Sequence, residues 1–264
     1  MLYFPQLASG STGQYPIDKL DTSRTIINSC LDGTKIKFVD AGAHSVQWQL
    51  RFHNLTDGEL NTLQQFFTIA EGRLKSFTFL DPTSNLLLWS DGFDHSVWEK
   101  DGTLQLFSDI EDPSGGASAS RIVNSSTSDL SIQQTLNVPG WFCYSFSVYA
   151  RDPSTSTISL FRQSGAADSR TLRVTQDWRR FSCSGTLNTN AITLTVGVVI
   201  PAGCSVDLFG LQLEAQPSAS TYKRTFSNGG IFDNAHFVDD VLGFTTTAPN
   251  RNNCTVHIIT AIAG

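Results

Sequence analysis

Charge is scarce in this chain. Asp, Glu, Lys and Arg make up 16% of its 264 residues, and 24 acids against 18 Lys and Arg leave a net charge of −6. No basic patch is available to displace counterions from phosphates, which excludes nucleic acid as a partner. Close cysteine pairs are also lacking. The five cysteines, Cys30, Cys143, Cys183, Cys204 and Cys254, are odd in number and widely spaced, so zinc sites and thiol redox motifs are excluded and most of the thiols are expected to be buried. No apolar run approaches the length needed to cross a bilayer, and no positively charged leader precedes one, so the expectation is a chain made in a cytoplasm without membrane insertion.

Catalytic signatures are equally thin. His44, His53, His95, His236 and His257 stand alone, without HExxH spacing. There is no GxSxG elbow, and the segment GSTGQ at Gly10 to Gln14 lacks the lysine that a phosphate loop requires. Glycoside hydrolysis needs two carboxylates flanking a cleft. The available clusters, Asp109, Glu111 and Asp112 in one segment and Asp239 with Asp240 in another, read as solvated loops. The expectation is a protein that is not an enzyme, with no catalytic, cofactor-binding or metal-ligating residue to name.

What is plentiful is Ser, Thr, Gly and Asn, a balance common in β-rich extracellular or virion proteins. The most informative stretch runs from Thr56 to Pro82, TDGELNTLQQFFTIAEGRLKSFTFLDP. Thr56 and Glu59 have capping-box spacing. Leu60, Leu63, Phe66, Phe67 and Ala70 recur at three- and four-residue steps, forming one apolar stripe. Gly72 is placed to end the helix in a left-handed turn, and Phe77 and Phe79 then alternate with Ser76 and Thr78 as on a strand. Upstream, Arg24 to Cys30 leads through the hairpin signal Asp32-Gly33 into Lys35 to Val39. A third strand is read from the alternation of Val46, Trp48, Leu50 and Phe52.

From Asp81-Pro82 to about Thr225 helical periodicity vanishes. Phe142, Tyr144, Phe146 and Val148 alternate with other residues, as do Ile192, Leu194, Val196, Val198 and Ile200, with turn segments such as DPSGGAS and PAGCS between strands. Short strands with this punctuation indicate a β-sandwich. Within VDLFGLQLE the apolar parity switches at Phe209-Gly210, which predicts a β-bulge. After Thr225 the character changes again, ending in the apolar run CTVHIITAIAG. The simplest account makes 225–264 the returning strands of the first domain. The fold class expected is mainly β, with a small α+β domain of residues 1–85 plus 225–264 and an inserted jelly-roll β-sandwich of residues 86–224. Asn85 and Arg224 must then lie near each other.

The Thr56 to Pro82 unit, with the opening LYFPQLASGSTGQYPI and the motif FTFLDP, resembles the ring-forming domain of tailed-phage distal tail proteins, over roughly residues 1 to 85. The sandwich is similar to the galactose-binding-like jelly rolls, related to carbohydrate-binding modules, that recur in phage tail and tip proteins. That resemblance rests on NLLLWSDGFDHSVW, GWFCYSFSVYAR, DWRRFSCSG and VDLFGLQLEAQPSASTYKRT. The resemblances imply a structural protein of the virion that forms a homo-oligomeric ring, a hexamer, at the distal end of the tail tube. Its partners would be the tail tube protein, the tail-tip hub proteins and host-surface glycans, and its location the tail tip or baseplate. The alternative is a receptor-binding or lectin-like tail protein that is not a ring subunit.

A sugar site needs an aromatic platform with a polar rim. Trp89, Trp98, Trp141 and Trp178 are the candidates by chemistry, and the family pattern implies that Trp98 and Trp178 fill the core instead. Jelly rolls of this kind often carry a stapling calcium ion, and Asp94 and Glu214 stand in suitable segments. An exposed loop acid and a strand-end acid without metal is the other reading of the pair.

Overall fold

The computed structural model describes residues 1–262. In chain order its elements are β1 (Ile17–Ser29), β2 (Lys35–Leu55), α1 (Asp57–Ala70), β3 (Phe77–Leu80), β4 (Glu99–Lys100), β5 (Leu104–Ile110), β6 (Ala119–Asn124), β7 (Leu130–Leu136), β8 (Cys143–Arg151), β9 (Ser156–Ser164), β10 (Ala166–Val174), β11 (Arg179–Thr186), β12 (Leu194–Ile200), β13 (Ser205–Glu214), β14 (Ile231–Phe237), β15 (Phe244–Ala248) and β16 (Arg251–Ala261). The protein is mainly β, and it divides into two compact units.

The first unit comprises Met1–Ala8, Thr12–Leu80 and the residues from Ile231 onward. It is a mixed layer structure: the sheet order is β1-β2-β16-β14-β3, with β15 pairing the first residues of β16, and α1 packs its apolar stripe against it. The helix begins as its sequence dictates. Thr56 Oγ1 accepts from Glu59 N at 3.2 Å, and Glu59 Oε2 accepts from Thr56 N at 2.9 Å, satisfying two amides that a helix start leaves orphaned. Leu60, Leu63, Phe66 and Ala70 are buried, each large side chain removing apolar area worth about 2 kcal/mol. The helix ends one residue earlier than Gly72 alone would set, because Glu71 already adopts the left-handed conformation and Gly72 continues it. A side chain at Gly72 would stand 2.6 Å from Asp240 Oδ1, so glycine is required there for space as well as for backbone angle. The core is aromatic. Phe4, Phe66, Phe77 and Phe237 meet largely edge to face at 5.1–6.4 Å, while Trp48 meets Phe79 at 5.0 Å.

Two strands, not three, precede the helix. The expected break between Val39 and the Val46 strand is absent, and β2 runs unbroken for 21 residues. The glycine and small residues at 41–43 produce an irregularity instead of a turn: the β1–β2 register shifts between Thr22 and Arg24 on one strand, and Asp40 and Ser45 on the other. Extra residues accommodated in a ladder bend it without ending it.

The second unit comprises Ser9–Ser11 and Asp81–Gly230. It is a β-sandwich of jelly-roll type with two antiparallel five-stranded sheets, β10-β9-β12-β7-β4 and β11-β8-β13-β6-β5. Their inner faces bury Ile132, Leu160, Val196 and Val198 from one sheet and Ile122, Phe146, Val148 and Leu208 from the other, the period-two pattern of half-buried strands. Ile192, read as part of this alternation, lies outside β12 and is exposed. The bulge in β13 is where the parity switch places it, with register shifting between Phe209 and Gln212 and Gly210 at φ +64°.

The sandwich begins and ends at neighbouring points. Asp81 N donates to Gly230 O at 2.8 Å, and Asn85 Nδ2 donates to Lys223 O at 3.3 Å, beside Arg224. The boundaries fall at Leu80/Asp81 and Gly230/Ile231, a few residues outside the expected 85/86 and 224/225. The reason is Asn85: fully buried, it donates to Leu211 O and accepts from Leu87 N and Leu213 N. Residues 81–85 therefore belong to the sandwich framework.

Candidate functional site

The residues that would signal chemistry are dispersed. His257 Nδ1 faces Asp239 Oδ2 at 3.1 Å, and the ring of His95 stacks on Trp89 at 4.4 Å. Among the described residues no group of three or more His, Cys, Asp and Glu is placed to hold a metal ion, and no helix is long and apolar enough to cross a membrane. Of the acids read as solvated loops, Asp112 is instead buried: its carboxylate accepts from Ser114 N, Gly116 N and Ser118 N, so it organises its own turn. Asp109 and Glu111 are exposed. Asp240 is bound to Arg73, with Nε to Oδ2 at 2.9 Å.

Glu214 has a partner already. Its side chain is fully buried beneath Lys223 Nζ, at 2.7 Å from Oε1, and its Oε2 accepts from Ser220 N at 2.9 Å. Burial pushes its pKa up, but the hydrogen bonds from Lys223 and Ser220 outweigh burial and hold it below its ordinary 4.5. The Lys223 ammonium supplies the positive charge beside this carboxylate. Asp94 is exposed.

The four tryptophans divide in a way that sequence reasoning only half captures. Trp98 is buried and donates its Nε1 proton to Trp89 O at 2.8 Å. Trp178 does not fill the core: it is half-buried on the outer side of the sandwich, where the Arg151 guanidinium lies 4.8 Å from its ring. Arg151 is held from the other side by Asp207, a fully buried carboxylate that also takes Arg121. Trp178 precedes β11, flanked by the exposed Asp177 and Arg179, and the charged partner on β8 captures the indole. Trp141 is 42% exposed.

Two surfaces remain as candidates for recognition. The first is the outer face of the β10-β9-β12-β7-β4 sheet. Cross-strand partners share a face, so Phe161 lies beside Gly197 and Ser169, while Gln163 lies beside Thr195 and Ala167. Gln133 and Thr135 continue these rows on β7. A side chain at Gly197 would come within 2.7 Å of the Phe161 ring and 2.4 Å of Ile132 O, so the missing side chain is what lets the ring settle onto the sheet. Around it stand amides and hydroxyls, with Thr135 Oγ1 and Thr195 Oγ1 at 2.9 Å and Gln133 Nε2 donating to Glu99 Oε2 at 2.9 Å. Sequence reasoning looked for tryptophan and missed this phenylalanine. The signal available was a lone glycine among the β-branched residues of LTVGVVI.

The second surface is the free end of the β1–β2 hairpin. Strand β16 pairs with β2 only from Ser45 to Leu55, so residues 24–40 form a two-stranded arm with no third strand beside it among the described residues. Its turn is closed by Cys30 N to Thr34 O at 2.8 Å and Thr34 N to Asp32 Oδ1 at 2.9 Å. Apolar side chains crowd this arm yet stay exposed: Ile26, Ile36 and Phe38 on one face, Ile27 and Val39 on the other, and Leu31 at the tip. A lone two-stranded ribbon is marginal in water, and a long exposed apolar edge invites pairing with another chain. A separate cleft of about 450 Å³ lies between residues 5–8 and the start of α1, where Glu59 Oε1 accepts from Ala8 N at 3.1 Å.

No protein-family model and no curated protein matches the chain. Among solved structures, it is similar over 52% of its length to a CBM22-1 xylan-binding domain of Paenibacillus barcinonensis Xyn10C (96% of that chain, 14% identity, TM-score 0.41). It is similar over 51% to a family 22 carbohydrate-binding module of Clostridium thermocellum Xyn10B (94% of that chain, 16% identity, TM-score 0.41). It is also similar over 52% to the enzymatically active domain of tailspike protein 4 of bacteriophage CBA120 (12% identity, TM-score 0.40), of which it spans only 22%.

Proposed function

We propose that this chain is a structural protein of a phage virion: a distal tail subunit that self-assembles into a ring at the end of the tail tube, linking the tube to the tip or baseplate. The observation that carries this reading is the arm. A helix-on-sheet unit whose own core is complete nevertheless extends a hairpin of exposed Ile, Val, Phe and Leu side chains, which is the economy of a subunit that finishes folding in an assembly. The likeness of Thr56 to Pro82 to the ring domain of distal tail proteins points the same way. The protein is then made in a host cytoplasm and works in the tail tip, without catalysis.

The inserted sandwich serves host attachment in this reading, through the Phe161 face. An aromatic ring set among amides and hydroxyls on a broad sheet suits a neutral sugar chain, and several weak sites on one ring bind strongly through effective concentration. The same face favours the second reading, a lectin-like tail protein that does not form a ring. Single-particle imaging of the full-length chain separates them: closed rings support the ring subunit, whereas single copies or trimers that bind neutral oligosaccharides support the lectin.

A further inference from the structure

We infer that the arm seats on a second copy of this same chain, at the shoulder formed where the C-terminal turn of α1 meets residues 239–242, and that its docking face is the one carrying Ile27 and Val39. This rests on the ring reading and names the contact that would build the ring.

The β1–β2 register decides what each face presents. Thr25 opposes Val39, Ile27 opposes Lys37 and Ser29 opposes Lys35, so Ile27, Val39, Lys35 and Lys37 share one face. Val39 is 86% exposed and Ile27 54%. The opposite face, with Ile26 directly across from Phe38 and Ile36 two residues further, partly covers itself by these cross-strand neighbours. The more exposed face is therefore an apolar centre bordered by two lysines that form no ion pair among the described residues.

The shoulder is its complement. Asp240 receives Arg73 N at 3.1 Å and lies against Gly72, which brings the helix end and the 239–242 loop together. Leu74 is 73% exposed, Val241 79% and Ile69 56%. Residues 69–75 and 239–242 carry three acids, Glu71, Asp239 and Asp240, against Arg73 and Lys75; residues 24–40 carry three cations, Arg24, Lys35 and Lys37, against Asp32 and Asp40. Apolar centres match, and although each shoulder acid has a partner in the chain, Glu71 with Lys75, Asp239 with His257 and Asp240 with Arg73, the shoulder's net charge is opposite in sign to the arm's. Arm on arm would instead set the lysine-bearing faces against each other, at a like-charge cost. Since arm and shoulder are different surfaces of one chain, the contact is head to tail, and such contacts close into rings when the rotation between copies allows.

The test uses the full-length chain in a Cys30→Ser background, to remove the exposed thiol at the arm tip. Val39→Cys and Leu74→Cys are made singly and together, at two sites so exposed that neither disturbs the core. Under mild oxidation, a mixture of the two single variants should give a disulfide-linked dimer, the double variant a ladder of multiples on a non-reducing gel, and Lys35→Glu/Lys37→Glu should remove both. A particle that assembles but yields no arm-to-shoulder disulfide overturns this contact while leaving the ring reading standing. A folded chain that stays a single copy overturns both.

Discussion

Glu214 shows how much a single side chain can conceal. In the sequence it is a strand-end acid; in the fold it is a buried carboxylate stapling Lys223 and Ser220 across the outer face of β13. Because its pKa is lowered in the folded state, the unfolded chain binds its proton at higher pH than the folded chain does. The stabilisation is therefore present above the ordinary value of 4.5 and lost as pH falls through the folded value. Thermal melts of the wild type should lose stability on acidification below the ordinary value of 4.5, and Glu214→Gln should flatten that limb; an identical acid limb in both would remove Glu214 from the account. Gly197→Ala is expected to cost about 1–3 kcal/mol in urea unfolding and to lift Phe161 off the sheet, because the new methyl meets Ile132 O, a backbone atom that cannot rotate away. Neither role was legible in the sequence. The glycine and the acid were visible, but cross-strand register and the reach of Lys223 exist only once the strands are paired. Trp178 behaves likewise: the family pattern implied the core, whereas in the fold it lies half-buried against Arg151 of another strand.

Elements written in local code were read well. The capping box, the apolar stripe of α1 and the β13 bulge depend on residues a few positions apart, so their chemistry is complete in the sequence. Thr56→Ala should cost about 1 kcal/mol of stability in chemical denaturation, with no change in oligomeric state; a cost near zero would mean that Asn252 and Asn250, which bond Asp57, hold the helix start without the box. Where local code is ambiguous, the reading failed. Small residues at 41–43 serve a turn or a bulge equally well, and the pairing of β2 with both β1 and β16 selected the bulge. The arm's exposure was likewise hidden, because the hairpin signal at Asp32-Gly33 marks two strands without showing what covers their faces. Its core is absent from the chain itself. Replacing residues 25–39 by a short Gly-Ser turn should leave the melting temperature of the remaining fold within a few degrees while abolishing assembly, as read by sedimentation; a collapse of the fold would show the arm to be part of the core after all.

At the scale of the whole molecule, the second unit runs from Asp81 to Gly230, and these two residues meet in one hydrogen bond where the chain enters and leaves it. In the proposed function, one unit carries the interaction surfaces of assembly and the other presents the Phe161 face. For that face, Phe161→Ala should weaken binding of neutral oligosaccharides about fivefold or more in calorimetry, the loss of a contact residue at about 1 kcal/mol or more. Self-assembly is the central claim, and the most direct measurement is the native mass of the purified full-length chain by light scattering across a wide dilution series. The account predicts one dominant species of six copies that loses copies as it is diluted through its dissociation constant. A single copy at every concentration, with the fold intact by circular dichroism, would contradict it.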